Sequence, residues 1–292
     1  MKPYFKLLRV KHYSKNVLLL LPLVFGRELS DATLLLRIFL GFIAFCLVSS
    51  AVYIFNDIRD VEKDRLHPVK QNRPIASGAV SIPTAYVIAA LLLVAALAVN
   101  ALASHGSVLP WVLLLLYALL NAGYSMGLKD VPLLDITVLM SGFLLRLLYG
   151  SALVDIKISE WLYLTVVSMS FFMGLGKRRN ELIAQQSGEL QGETRSVLSK
   201  YTASFLDKSM YMCLLLGVVF YSLWCVDAST AGMISGNYLL WTVPLVILIC
   251  MKYSMTIEGK SDGDPVEVLF SDRWLMLMVG LLGCAILAII YL

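Results

Sequence analysis

The run Asn56-Asp57-Ile58-Arg59-Asp60-Val61-Glu62-Lys63-Asp64 carries the densest chemistry in the chain. At about 100° per residue, Asp57, Asp60 and Asp64 fall within about 60° of one another on a helix. Asn56 sits at the edge of that arc and Glu62 points away. Carboxylates crowded on one face repel, so something cationic must offset them. Three carboxylates and an amide oxygen form a hard, oxygen-only set that suits Mg²⁺, an ion that keeps waters and is completed by substrate phosphates. The same spacing also fits a solvated helix end neutralised by Arg59, Lys63 and Arg65. An EF-hand is excluded, because its glycine and terminal glutamate are missing.

Basic and polar groups follow at intervals. Leu66 to Gly78 holds two prolines and a glycine and reads as a shaped loop. Within it Lys70 and Arg73 suit phosphate, the arginine in bidentate fashion, or simply mark a cytoplasmic loop. His67 is a lone histidine and a weak catalytic candidate. The stretch Tyr124 to Asp135 is a short loop whose Pro132 suits the first turn of a helix. It places Asp135 about one turn in, near the positive end of the dipole. Lys129 and Asp135 are spaced for a site or for a salt bridge.

Arg146 lies eleven residues beyond Asp135 on nearly the same helical face. A charge that deep costs at least ~2.5 kcal/mol on insertion scales and marks function by default, the alternatives being snorkelling or pairing with a neighbouring helix. Lys177-Arg178-Arg179-Asn180-Glu181 closes the sixth helix, where positive charge complements the dipole or meets anionic lipid. Lys15-Asn16, at the inner end of the first, is a similar polar group. Singly, each has a bland explanation. Together, an acidic metal-type cluster and lysines and arginines from four inner segments suit a Mg²⁺-bridged diphosphate, with cations drawing charge onto the leaving group.

These groups must be positioned by membrane helices. The 292 residues are 59% hydrophobic and 15% charged, with a mean hydropathy of +0.79. Soluble domains carry about 25% charged residues, so soluble, disordered and collagen-like classes are excluded. A net charge of +4 gives no reason to expect nucleic acid. The expected fold is an all-α integral membrane protein. Nine transmembrane helices form a bundle around a cytoplasm-facing polar cavity, as one domain over residues 1–292.

The spans fall at about 14–31, 34–55, 82–103, 108–125, 132–154, 159–176, 203–226, 237–256 and 273–291. The first is ambiguous, because its uncharged core from Ser14 to Gly26 makes only ~20 Å of helix and suits the interface as well. Charge favours crossing. If the first segment crosses, 20 of the 24 lysines and arginines lie on one side, which the positive-inside rule makes cytoplasmic. The N-terminus is then cytoplasmic and the C-terminus opposite, in the cell's inner (plasma) membrane. The opening has the charge order of a signal peptide but no small-x-small cleavage site, and reads as a retained span. Cys46, Cys213, Cys225, Cys250 and Cys284 all lie in apolar runs and read as buried small hydrophobes.

Asn56-Asp57-x-x-Asp60-x-x-x-Asp64, followed by Lys70-x-x-Arg73-Pro74 and Gly78, resembles the first signature of the UbiA superfamily of intramembrane prenyltransferases. Leu8 to Asn16, Lys177-Arg178-Arg179-x-Glu181, Tyr124-Ser125-x-x-Leu128-Lys129 and Gly142-Phe143-x-x-Arg146 look like its decaprenyl-phosphate phosphoribosyltransferase branch. The second signature departs from the common form, since only Asp130 and Asp135 remain beside Lys129. The resemblance implies Mg²⁺-dependent transfer of 5-phosphoribosyl from phosphoribosyl diphosphate to a polyprenyl phosphate. It implies Asn56, Asp57, Asp60 and Asp64 at the metal, and Lys15, Lys70, Arg73 and Lys129 on phosphate oxygens. Arg146, Lys177 and Arg178 would position a substrate phosphate, with Tyr124 and Asp135 in the same site. The alternatives are an aromatic prenyltransferase on the same fold, using a polyprenyl diphosphate donor, and more remotely a membrane transporter.

Overall fold

In this computed structural model, residues 2–67, 69–187, 196–227, 238–259 and 263–292 are described, and they form helices and connecting turns without strands. Helix α1 (Lys2–Leu8) leads into a 3-10 helix (Val10–Leu20) and the short α2 (Leu21–Phe25). Next come α3 (Ala32–Arg59), α4 (Val61–Leu66), α5 (Ile82–Ser104) and α6 (Leu109–Met126). After α7 (Leu134–Val154), α8 (Glu160–Gln186) and α9 (Ala203–Val226) follow α10 (Val243–Glu258), α11 (Pro265–Ser271) and α12 (Arg273–Tyr291).

Oxygen side chains write many of the starts. Asp31 accepts from the amides of Thr33 and Leu34, Ser81 from Thr84, Thr202 from Phe205, and Asp272 from Trp274 and Leu275. Each satisfies amides that the first helical turn leaves without a partner.

Seven stretches are long and apolar enough to cross a bilayer: α3, α5, α6, α7, α9, Tyr238–Glu258 and α12. The protein is a multi-pass membrane protein. Of the nine expected spans, those at about 14–31 and 159–176 are not among these seven. The sixth helix does not close at the 177–181 block. No proline or glycine interrupts residues 177–186, so α8 runs on to Gln186 with Lys177, Arg178 and Arg179 on its flank. The first segment, expected as a helix over 14–31, is an eleven-residue 3-10 helix followed by five α-helical residues.

That winding has consequences. At about 2.0 Å per 3-10 residue and 1.5 Å per α residue, residues 10–25 extend about 30 Å, where an α-helix would reach about 24 Å. Three residues per turn also stack side chains at i and i+3. Tyr13, Asn16 and Leu19 therefore share one edge, and the latter two are buried. His12 and Lys15 share another.

Two apolar cores meet at α7. Leu145, Tyr149 and Leu153 pack with Leu19, Phe45 and Tyr117, while Ile136 and Met140 pack with Phe172, Leu206 and Ile257. The first segment lies so close to α7 that a Cβ at Gly150 would sit 2.2 Å from the Leu19 carbonyl oxygen. Backbone cannot yield there as a side-chain tip would. Gly150→Ala is expected to cost about 1–3 kcal/mol by overpacking, read as a lower thermal midpoint in detergent. An unchanged midpoint would show that this contact does not hold the first segment.

Candidate active site

The acidic run straddles a helix break. Helix α3 stops at Arg59, α4 starts at Val61, and Asp60 between them has φ −96° and ψ 7°. The expectation of three aspartates on one continuous helix is corrected accordingly. Asp57 and Asp64 turn inward, each 3% exposed, and share one cation. The Arg73 Nη1 lies 2.6 Å from Asp64 Oδ2 and 3.1 Å from Asp57 Oδ1. Asp60, freed by the break, meets Lys129 Nζ at 2.5 Å. Ser125 donates to Asn56 Oδ1 at 2.9 Å. Glu62 points outward as expected and pairs with Arg65 on the surface, so Arg65 does not neutralise the aspartates.

Sequence reasoning missed Arg9. Its Nη2 lies 2.5 Å from Asp57 Oδ1, and its guanidinium stands 4.9 Å from the centre of the Tyr53 ring. The Arg9 backbone is left-handed, at φ 52°, a conformation that costs a non-glycine residue about 1–2 kcal/mol. The surrounding contacts offset this. In the sequence Arg9 was one of several N-terminal basic residues, and only the fold singles it out.

The loop after α4 is shaped by His67. Its Nδ1 accepts from the amides of Val69 and Lys70 at 3.2 and 3.3 Å. Burial, then the nearby Lys70, pushes its pKa below the usual value, which keeps that nitrogen an acceptor. Lys70 is half-buried at the start of the next turn.

A second cluster centres on Arg178, which has no exposed surface. Its Nε donates to Asp135 Oδ2 at 2.5 Å, its Nη1 to Glu181 Oε2 at 2.6 Å and its Nη2 to the Tyr124 hydroxyl at 2.9 Å. Tyr201 donates to the other oxygen of Asp135 at 2.7 Å and accepts from the amide of Leu133. Burial and the Asp135 acceptor push the Tyr201 hydroxyl up to about 12. Of the two readings of Lys129 and Asp135, the salt bridge between them does not form, because Lys129 goes to Asp60 and Asp135 to Arg178. Asp130 of the same loop accepts from Ser196 at 3.0 Å.

Arg146 lies deep and 4% exposed. It donates to Asn16 Oδ1 at 2.6 Å, to the Gly142 carbonyl at 2.7 Å and to the Tyr117 hydroxyl at 3.2 Å. The rings of Phe45 and Tyr117 stand 4.9 and 5.0 Å from it. Among the described residues it has no carboxylate partner. Neutral acceptors and ring faces hold the charge instead.

Lys15 and Lys177 are brought together by a residue the sequence did not flag. Their ammonium groups lie 3.3 and 3.1 Å from one oxygen of Asp264, whose other oxygen caps α11 at the amide of Val266. An aspartate directly before Pro265 is a legible helix start, but its ion pairs are not legible. Burial alone would raise the Asp264 pKa. Lys177, Lys15 and the Val266 amide outweigh it and hold the carboxyl below its usual range.

An oxygen-only metal site fits the first cluster in donor chemistry. No three acidic, histidine or cysteine side chains are already gathered as a metal group among the described residues. Asp57 and Asp64 nonetheless converge on one positive charge, that of Arg73. A hard divalent ion that draws its remaining ligands from water and phosphate suits such carboxylates.

The profile of the UbiA prenyltransferase family matches residues 19–279. The chain is 34% identical to the decaprenyl-phosphate phosphoribosyltransferase of Corynebacterium glutamicum, over 97% of this chain and 86% of that one. It is also 34% identical to the enzyme of the same name from Mycolicibacterium smegmatis, over 96% and 91%. A solved UbiA homolog from Archaeoglobus fulgidus bound to GPP and Mg²⁺ superimposes with a TM-score of 0.72. It shares 18% identity over 99% of this chain and 100% of that one, a likeness of fold.

The depressed Asp264 pKa sets a pH dependence. Its unfolded value is about 3.9, so the stability it contributes is fully present above that pH. It is lost as pH falls through the lower folded value. The stability difference between wild type and Asp264→Asn should be constant from about pH 5 to 8 and shrink below about pH 4. Thermal unfolding across that range measures it, and a difference unchanged at low pH would remove the ion-pair assignment.

Proposed function

The chain belongs to the UbiA prenyltransferase family, and from that premise we propose that it transfers 5-phosphoribosyl from phosphoribosyl diphosphate to a polyprenyl phosphate. The observation that carries the reading is the likeness, over nearly the full length, to two phosphoribosyltransferases that use a lipid phosphate by name. The polar cluster supports it. Three aspartates from the α3–α4 junction meet Arg9, Arg73 and Lys129 from three separate segments.

In this reading the bond from the anomeric carbon to the diphosphate oxygen breaks, and its electron pair leaves with the diphosphate. A lone pair of the lipid phosphate oxygen forms the new bond to that carbon. The nucleophile is already ionised, so no side chain need remove a proton. Arg9, Arg73, Lys70 and Lys129 receive the negative charge that builds on the departing diphosphate. Asn56, Asp57, Asp60 and Asp64 would hold Mg²⁺, which when bound offsets charge on the same phosphates.

Lys15 and Lys177 contact phosphate directly. Arg146 and Arg178 serve by position. Arg146 anchors Asn16, the neighbour of Lys15, and Arg178 with Asp135 fixes Tyr124 at the rim of the site. The N-terminus and the site are assigned to the cytoplasmic side of the cell's inner membrane, on the distribution of lysine and arginine.

The purified protein in lipid nanodiscs, given labelled donor, polyprenyl phosphate and Mg²⁺, is expected to yield labelled lipid and diphosphate. Asp57→Asn should lower turnover by about a hundredfold or more, and chelation of divalent ions should stop it reversibly. No labelled lipid from folded wild type would end this reading. A polyprenyl diphosphate that protects against heat where phosphoribosyl diphosphate does not would favour prenyl transfer instead.

A further inference from the structure

Lys15 and Lys177 come from distant parts of the chain, the 3-10 segment and the flank of α8, yet both ammonium groups address a single oxygen of Asp264. Both lysines keep some exposure, with side chains 15% and 25% accessible. Two positive charges against one negative leave the trio cationic. The aspartate arrives on a separate element, the cap of α11, rather than on either lysine's own helix. Arg9 and Arg146 add further positive charge beside His12 and Lys15 respectively. His12 presents a buried Nδ1 that has no hydrogen-bond partner among the described residues.

Such a set differs from the Asp57 cluster. There, several carboxylates match a metal-bridged diphosphate. Here, a pair of ammonium groups and an unsatisfied imidazole match a bare dianion. A phosphomonoester carries close to two negative charges at pH 7, because its second pKa is near 6. It would balance both lysines, where one carboxylate balances only one.

The two clusters adjoin. Tyr53 has the Arg9 guanidinium 4.9 Å from its ring centre and the His12 ring 5.6 Å away. Arg9 in turn holds Asp57.

We propose that Lys15 and Lys177 form a phosphomonoester seat, distinct from the diphosphate cluster, and that Asp264 is the carboxylate that fills it until the phosphate displaces it. This rests on the transfer reading above for the identity of the ligand. Two phosphomonoesters are present in that reaction, the acceptor lipid's phosphate and the 5-phosphate of the ribosyl donor, and the chemistry of the seat accepts either. Displaced, Asp264 keeps its bond to the Val266 amide and α11 keeps its cap.

Binding tests the seat without turnover. Two probes are used on the full-length protein in nanodiscs of neutral lipid, polyprenyl phosphate and ribose 5-phosphate. Lys15→Gln and Lys177→Gln should each weaken one probe about tenfold and leave the other within about twofold, since a charge-assisted hydrogen bond contributes on that scale. The probe that weakens names the source of the phosphate. Lys177→Arg should retain binding. Asp264→Asn removes the competing charge but keeps a good helix cap, and should tighten the same probe severalfold.

Unchanged binding of both probes in both lysine variants overturns the seat. Weaker binding in Asp264→Asn, with its thermal midpoint at pH 7 within a few degrees of wild type, overturns the placeholder role. A wild type that binds a probe in this pattern yet transfers no phosphoribosyl keeps the seat and loses the reaction. A wild type that transfers phosphoribosyl with both lysine variants unaffected keeps the reaction and loses the seat.

Discussion

Charge buried beside a membrane interior must be met by opposite charge or by hydrogen-bond acceptors, and that requirement organises this protein. A lone carboxylate or guanidinium taken out of water costs several kcal/mol even after relaxation. Asp57, Asp64, Asp135 and Arg178 are nearly or fully buried, so their partners are obligatory. Two of those partners come from far along the chain, Arg9 before the first segment and Tyr201 beyond α8, while Arg73 comes from the loop just after α4. The ion pairs therefore act as tertiary ties, joining the inner ends of the helices into one polar floor. The same ties gather cations over carboxylates at that floor.

The 3-10 winding of residues 10–20 belongs to this arrangement. Runs of that kind rarely exceed a few residues, because their hydrogen bonds are poorer than those of an α-helix. Here the cost is offset by what the three-residue period delivers. Asn16 and Leu19 face the α3–α7 core, and His12 and Lys15 face Asp264 and Lys177. An α-helical pitch would turn Lys15 about 60° away from His12 and separate the two edges. The close approach of Leu19 to Gly150 locks the rotation of the segment.

Hydropathy made most of the helices legible. The boundaries of α9 and α12 coincide with those expected at residues 203–226 and 273–291, where Thr202 and Asp272 cap apolar runs of the right length. The failures have physical causes. The end of α8 was misplaced because charges were taken as a stop, whereas Arg178 finds buried partners and the helix carries on. The first segment was misjudged because apolar composition does not distinguish a 3-10 helix from an α-helix.

The acidic run was legible as a cluster because its members lie within nine residues. Arg9 and Asp264 were not, since their meaning depends on contacts 48 and 249 residues away in sequence. Lys129 was visible as a candidate, but its partner Asp60 was not. Spacing within a loop cannot foresee that the helix break at Asp60 swings a carboxylate toward it.

Arg146 shows how the deep and shallow parts of the molecule are joined. It lies among neutral acceptors and aromatic faces, an arrangement that leaves its charge unspent rather than cancelled. The positive potential of such a buried group extends through a medium of low permittivity further than it would in water. Its guanidinium is fixed on Asn16, next in sequence to Lys15, and it is among the charges that Lys15 feels. A cation there does two things at once: it pins the first segment to α7, and it biases the neighbouring lysine region toward anions. A neutral side chain of equal size at 146 could keep the packing and would lose the potential.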